Sequence, residues 1–220
     1  MDSMFCNVVR QIRNIYITGI IKSIILASLI NKIKKRWNKY YSSNIKTPAS
    51  PSEVLFFNQH LLPKKGVALD LACGYGANSI CLANNKLNVT AWDISQSALG
   101  ELSLRSKDLG LIINCENRDV LKYPPKPNTF DVIVVTKFLD RQLIKHIRNA
   151  INDNGLIFYQ TFIKNRVGKF GPTNPDYQLE RNELLEFFND WKLILYREEG
   201  KIGNLKSGFR NQAMIIAQKL

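Results

Sequence analysis

Short, nearly continuous apolar runs recur along the chain at 67–71, 88–92, 111–115, 130–135 and 156–162, the pattern of strands buried on both faces. Between them lie stretches with helical spacing, over about 77–84, 95–109 and 141–152. Strand and helix alternating in this rhythm predict a parallel sheet with helices on both faces. Two further strands, 193–198 and 213–218, are joined through Gly200, Gly203 and Gly208 with no helix between them, and so predict an antiparallel end. The expected fold class is α/β: a Rossmann-like, seven-stranded, mostly parallel sheet with an antiparallel C-terminal strand pair.

Local signals place the element ends. Ser50-Pro51-Ser52-Glu53 has the form of a capping box and predicts a helix to about Leu62, closed by Pro63 and Gly66. Ser95 is a helix cap and Gly110 a stop, while Asn154-Gly155 is the expected C-cap of the helix from 141. A loop with two glycines and two prolines runs from 163 to 177, and a helix is expected over about 181–189.

The first strand runs into Asp70 and then into a turn, Leu71-Ala72-Cys73-Gly74-Tyr75-Gly76, that opens a helix. The second strand ends in another acid, Asp93, 23 positions later. This unit is how a Rossmann-like sheet holds an adenosine-containing cofactor. An acid placed before the glycines points to S-adenosylmethionine rather than NAD. Gly74 and Gly76 can take positive φ and let the backbone approach a ligand. Ala72 stands where many such turns have a first glycine, which predicts ordinary dihedrals there. Asp70 is placed to order the turn and meet a cationic amino group, and Asp93 to accept both hydroxyls of a ribose.

Charge divides the chain. Of a net +13, residues 1–46 carry +8, with nine Lys and Arg against the single acid Asp2. The same leader holds an apolar stretch from Ile15 to Ile30, interrupted by Lys22, short for a membrane span and ordered more like an amphipathic helix. The division expected is an extension over 1–36 followed by a catalytic domain over 37–220, with peripheral membrane contact through residues 10–36 as one use of the extension. Four cysteines without a CxxC pair and only two histidines give no zinc site and fit a reducing cytosol, so no metal is expected. Cys73 reads as a small buried residue of the turn.

The chain resembles the class I S-adenosylmethionine-dependent methyltransferases, and among them the small bacterial tellurite-resistance-type group. The resemblance covers about Trp37 to Leu220 and rests on residues 69–78, Asp93-Ile94-Ser95, Asn117-Arg118-Asp119 and residues 130–135. Lys137-Phe138-Leu139-Asp140-Arg141, Thr161-Phe162, the loop 171–175 and Glu183-Leu184-Leu185 add to it. It implies that Asp70, Ala72, Gly74 and Gly76 surround the methionine portion of S-adenosylmethionine and that Asp93 binds the ribose. It further implies that Asp119 accepts from the adenine amino group, with Ile94 and Val120 as apolar faces of the ring. The competing reading of Asp119 is a turn or cap acid, and Asp131 reads as structural.

Methyl transfer needs an acceptor held in line with the sulfonium and shielded from water, an orientation effect of roughly 7–11 kcal/mol. The acceptor pocket is expected at the strand tips, from Thr136, Lys137 and Phe138 after the fourth strand, Thr161 after the fifth, and Tyr41 coming over the top with Trp37 and Tyr40. None is a convincing general base, which suits a small-molecule acceptor that is already soft or anionic: a thiol, a chalcogen oxyanion or a carboxylate. Lys137, Arg141, Arg166 and Arg210 are candidate cations for it. Asn174-Pro175-Asp176-Tyr177 looks like the signature of enzymes that methylate exocyclic amino groups, but it follows the fifth strand rather than the fourth, so nucleic acid is not the expected substrate. The rivals are an NAD(P)-linked oxidoreductase, weakened by Ser79 at the end of the glycine turn, and a non-catalytic cofactor-binding or membrane-surface module.

Overall fold

The computed structural model describes residues 24, 27, 28, 30–43 and 50–220. Seven strands form one sheet: β1 (Val67–Leu71), β2 (Asn88–Asp93), β3 (Ile113–Asn117), β4 (Phe130–Thr136), β5 (Ile151–Phe162), β6 (Lys192–Glu198) and β7 (Gln212–Gln218). Their order is β3-β2-β1-β4-β5-β7-β6. β1 pairs in parallel with β2 and β4, β2 with β3, and β4 with β5, while β7 runs antiparallel to both β5 and β6. The chain's last strand thus slots between β5 and β6 and alone runs against the rest. β7 is buried through nearly its whole length, as a central strand must be.

Helix α1 covers residues 30–43, followed by α2 (Glu53–Phe56), α3 (Ala77–Asn84), α4 (Gln96–Asp108), α5 (Arg141–Ala150) and α6 (Glu183–Glu186). α2 and α3 cover one face of the sheet through Val54, Leu55, Cys81 and Leu82 against Ala68, Val89, Val132, Val134 and Phe158. α4 extends that face over β2 and β3 with Leu99 and Leu102. α5 and the segment around α6 cover the other face, where Leu143, Ile144, Ile147, Leu184 and Phe188 pack on Leu69, Leu71, Ile133, Val135, Ile157 and Tyr159. The chain crosses from β3 back past β1 to β4, so the topological switch point lies between β1 and β4.

Several element ends differ from the sequence expectation. The expected helix to Leu62 stops at Phe56 and resumes as a 3-10 turn, Gln59–Leu61. The capping box does not form: Ser52 is the N-cap without a side-chain cap bond, and its N–H and Oγ–H both donate to Asn78 Oδ1 at 2.9 and 3.0 Å. α5 ends at Ala150 and β5 starts at Ile151, with Asn154 in the left-handed region at φ 65°. The Asn-Gly signal was therefore a bulge in a strand, where the register with β4 jumps, rather than a helix cap. The helix expected over 181–189 shortens to Glu183–Glu186, and the third strand lies two residues later than its apolar run.

Asp131 anchors the strand starts, accepting from the Val67 N–H and from Asn152 Nδ2 at 2.8 Å each. Residues 30–36, assigned from sequence to the extension, share α1 with 37–43; most of the apolar stretch 15–30 lies outside the described residues. Among the described residues, no helix is long and apolar enough to cross a membrane.

Gly76 and Gly110 both have positive φ, 73° and 66°, but a Cβ at Gly76 would overlap the Leu102 side chain of α4 whereas one at Gly110 meets open space. Gly110→Ala should cost only the left-handed backbone term, about 1–2 kcal/mol. Gly76→Ala should add overpacking, for about 2–5 kcal/mol in all. Urea unfolding midpoints of the two variants measure the difference.

Candidate functional site

The site is built from loops at the carboxyl ends of β1 to β5. After β1 the chain turns sharply: Ala72 has φ 57°, Gly74 φ 53° and Gly76 φ 73°. The expectation of ordinary dihedrals at Ala72 fails. The turn needs a left-handed residue where related turns have glycine, and alanine bears that strain. At the tip of β4, Lys137 is left-handed too, at φ 55°. Ala72 and Lys137 are thus two strained non-glycine residues on neighbouring strand tips, flanking the switch point.

Asp93 ties the turn to the next loop. Its Oδ2 accepts from the Gly74 N–H and its Oδ1 from the Ser95 N–H, both at 2.8 Å. Burial raises its pKa, and these amides work against that rise. Below it, Cys73 N–H donates to the Trp92 carbonyl at 2.9 Å, joining the turn to β2. The Cys73 thiol is pushed well above its usual range by burial, which suits packing and not nucleophilic attack. Ser95 caps α4 by accepting from the Ala98 N–H.

Asp70 is fully buried. One carboxyl oxygen accepts from the Ser79 hydroxyl at 2.6 Å, and the other, Oδ1, has no hydrogen-bond partner among the described residues. Burial raises its pKa to about 7, partly offset by Ser79. A buried carboxyl oxygen without a partner is costly unless something else completes it.

At β3, Asn117 donates to the carbonyls of Asp93 and Ile94. Asp119 Oδ1 accepts from the N–H groups of Leu121 and Lys122, the turn-acid arrangement. Val120 is buried in the core beside Trp92, and the Arg118 guanidinium lies 3.8 Å from the Trp92 ring centre. Ile94 is half-buried.

Helix α1 lies over these tips. Lys34 Nζ donates to Asn117 Oδ1, Asn38 Oδ1 accepts from Ser95 Oγ, and Ser42 Oγ donates to Ser97 Oγ, at 3.1, 2.8 and 3.1 Å. These residues are spaced i, i+4, i+8 and share one helix face. Sequence reasoning missed them. The available signal was polar residues at that spacing among apolar and basic neighbours. One turn of helix away, Tyr41 reaches the glycine turn: its hydroxyl lies 2.6 Å from where a Gly74 Cβ would stand. The Tyr41 ring stacks on Trp37 and meets Tyr75 edge-on, and Tyr75 Oη donates to the Tyr41 carbonyl at 2.5 Å. Burial, then the Asp93 charge, keep the Tyr41 hydroxyl protonated.

On the β4–β5 side, Thr136 Oγ1 accepts from Asn78 Nδ2 at 3.0 Å. Lys137 is exposed, and its side chain has no partner among the described residues. Phe138 is half-buried, with its carbonyl accepting from Tyr159 Oη. Thr161 is fully buried, its hydroxyl without a partner among the described residues, and alternation along β5 turns it toward the α5 side, opposite Gln160. The candidate arginines are taken. Arg141 binds Glu183 and the carbonyls of Asp176 and Gln178, Arg166 the carbonyls of Phe170 and Pro172, and Arg210 those of Ser207, Gly200 and Asn204. Asn174 caps a 3-10 turn in the loop after β5, accepting from the Asp176 N–H.

These residues fit S-adenosylmethionine. The Asp70 oxygen that has no partner among the described residues suits a cationic amino group, and Asp93 holds a carboxylate against the glycine turn.

The tellurite resistance protein TehB family model matches residues 33–216. A curated Haemophilus influenzae protein named "Probable S-adenosyl-L-methionine-dependent methyltransferase TehB" is 26% identical over 165 residues, covering 72% of this chain and 57% of that one. A Coxiella burnetii protein named "Ubiquinone biosynthesis O-methyltransferase" is 26% identical over 121 residues, covering 53% of this chain and 52% of that one. The chain therefore spans about half the length of the curated relatives it matches. The crystal structure of TehB from Haemophilus influenzae superposes with a TM-score of 0.65 at 24% identity, over 84% of this chain and 67% of that one.

Asp93→Ala should weaken S-adenosylmethionine binding about 100-fold, since hydrogen bonds to a charged group contribute about 1.5–3 kcal/mol each; calorimetry reporting unchanged affinity would remove this cofactor from the site. Asp70 makes a second prediction. Its pKa is near 3.8 unfolded and about 7 folded, so its contribution to stability is complete below the lower value and is lost as pH rises through the upper. The unfolding midpoint of the ligand-free protein should fall across that window, and Asp70→Asn should flatten the fall.

Proposed function

Because the chain belongs to the TehB tellurite resistance protein family, we propose that it is an S-adenosylmethionine-dependent methyltransferase acting on a small, soft or anionic acceptor. The observation that carries the acceptor class is the engagement of the polar and charged groups at and around the β4 and β5 tips. Thr136 is already accepting from Asn78, Tyr159 is donating to a carbonyl with its hydroxyl pKa raised by burial, and three arginines are bound into loops. Lys137 alone of the candidate cations stands exposed without a side-chain partner among the described residues. Among the described residues, none of these groups is placed to act as a general base, so the acceptor must arrive already deprotonated, as a thiolate or a selenium or tellurium oxyanion does.

When bound, S-adenosylmethionine supplies an electrophilic methyl on a sulfonium, displaced in line by that lone pair and leaving a neutral thioether. The chain's own work is orientation. Asp93 fixes the ribose, Asp70 and the glycine turn the methionine end, and α1 with Tyr41 roofs the cleft against water. Lys137 draws an anion to the rim beside the cofactor turn. The rival NAD(P)-linked reading lacks support in the glycine turn, where Ser79 follows Gly74 and Gly76 and bonds Asp70.

The test is release of S-adenosylhomocysteine from the full chain against small thiols, selenite, tellurite and a catechol. Turnover is expected with the thiols or oxyanions; turnover with the catechol alone would overturn the acceptor class. Lys137→Asn, which tolerates the left-handed backbone, should raise KM for an anionic acceptor about five-fold with kcat little changed.

A further inference from the structure

Helix α1 has a second face. Lys34, Asn38 and Ser42 point inward to the strand tips, whereas Lys32, Lys35, Arg36 and Lys39 are all exposed. At 100° per residue those four fall within an arc of about 100°. Arg36 lies over the Trp37 ring, and none of the four is in an ion pair among the described residues. An ordinary solvated helix face mixes signs at i, i+4 spacing. Here there is no acid at all between Asp2 and Glu53. Upstream on the same chain, Ile24 is 62% exposed, and the sequence from Ile15 to Ile30 is dominated by isoleucine and leucine. Trp37 and Tyr40 are exposed beside the stripe.

We propose that the outer face of α1 docks the protein on an anionic lipid surface. A basic stripe next to an apolar segment supplies the two signals that stable peripheral binding needs. Aromatic residues with polar edges suit the headgroup level. A single-stranded nucleic acid fits less well, because it favours a groove with stacking platforms and this stripe is a convex helix surface flanked by apolar residues. Since the inner face of α1 roofs the cofactor cleft, docking sets the mouth of the cleft about one helix diameter, ~10 Å, from the headgroups.

The experiment is co-sedimentation of the full chain with phosphatidylcholine vesicles, with and without phosphatidylserine. Binding should be at least about 100-fold tighter to the anionic vesicles, and about 0.5 M salt should abolish most of the difference. Replacing the four cations together (Lys32→Gln, Lys35→Gln, Arg36→Gln, Lys39→Gln) should lower vesicle affinity roughly 100- to 1000-fold and leave S-adenosylmethionine binding as in the wild type. Equal binding to both vesicles, no binding to either, a fourfold variant that binds like the wild type, or tighter binding to a mixed-sequence RNA than to vesicles would each overturn the proposal. Should the variant not fold, the salt dependence of the wild type decides alone: a salt-insensitive interaction contradicts the proposal.

Discussion

The carboxylate of Asp93 holds two backbone amides from two different loops, Gly74 after β1 and Ser95 before α4, and the site depends on that double grip. Without it, a short turn with three left-handed residues would be tied to β2 through the Cys73 N–H and Trp92 carbonyl bond but would lose its link to the entry of α4. A charged acceptor makes such bonds stronger than a neutral one would, and burial shields them from water. On the proposed reading, the acid that shapes the turn is also the acid that would bind the ribose. Asp70, one strand over, has the opposite character. It is buried with half of its hydrogen-bonding capacity unused, so the ligand-free site stores an unfavourable charge that a cationic amino group would relieve.

Gly76 shows how closely this turn is fitted to its surroundings. Its lack of a side chain is required twice, for its dihedral and for the Leu102 side chain that fills the space where a Cβ would be. Packing of α4 and conformation of the cofactor turn are therefore one problem. Gly74 is different: the space beside it is taken by the hydroxyl of Tyr41, a residue from outside the sheet. α1 thus completes the site without belonging to the Rossmann-like unit, latched by side-chain hydrogen bonds to β3 and to the loop after β2. Side-chain latches of this kind are individually weak, so this roof is the part of the site held least firmly.

On the acceptor side, the structure separates cations that build loops from one that does not. Arg141 binds Glu183 in a two-pronged pair and reaches two carbonyls besides, which fixes the loop after β5 against the start of α5. Arg166 and Arg210 close their own loops in the same way. Guanidinium groups, with five donors in a plane, suit this carbonyl-gathering work. Lys137, on a strained backbone at the switch point, is left for whatever arrives from solvent.

Much of this was written in the local sequence. Strand runs, the Gly74 and Gly76 turn, the acids at 70 and 93 and the Ser95 cap follow from nearest-neighbour preferences, because apolar periodicity and turn chemistry act over a few residues. Tertiary contacts decided the rest. The capping box expected from Ser50 and Glu53 gave way to Ser52 as N-cap, tied to Asn78 26 residues away, and Asn154-Gly155 became a bulge because β4 lay alongside. Ala72 took a left-handed backbone that its side chain disfavours because the turn's bonds to β2 and Asp93 outweigh the strain. The insertion of β7 between β5 and β6, the commitment of three arginines and the placing of Tyr41 over Gly74 are contacts between residues far apart in the chain. Sequence pattern names which groups are available; only the packed sheet determines which of them meet.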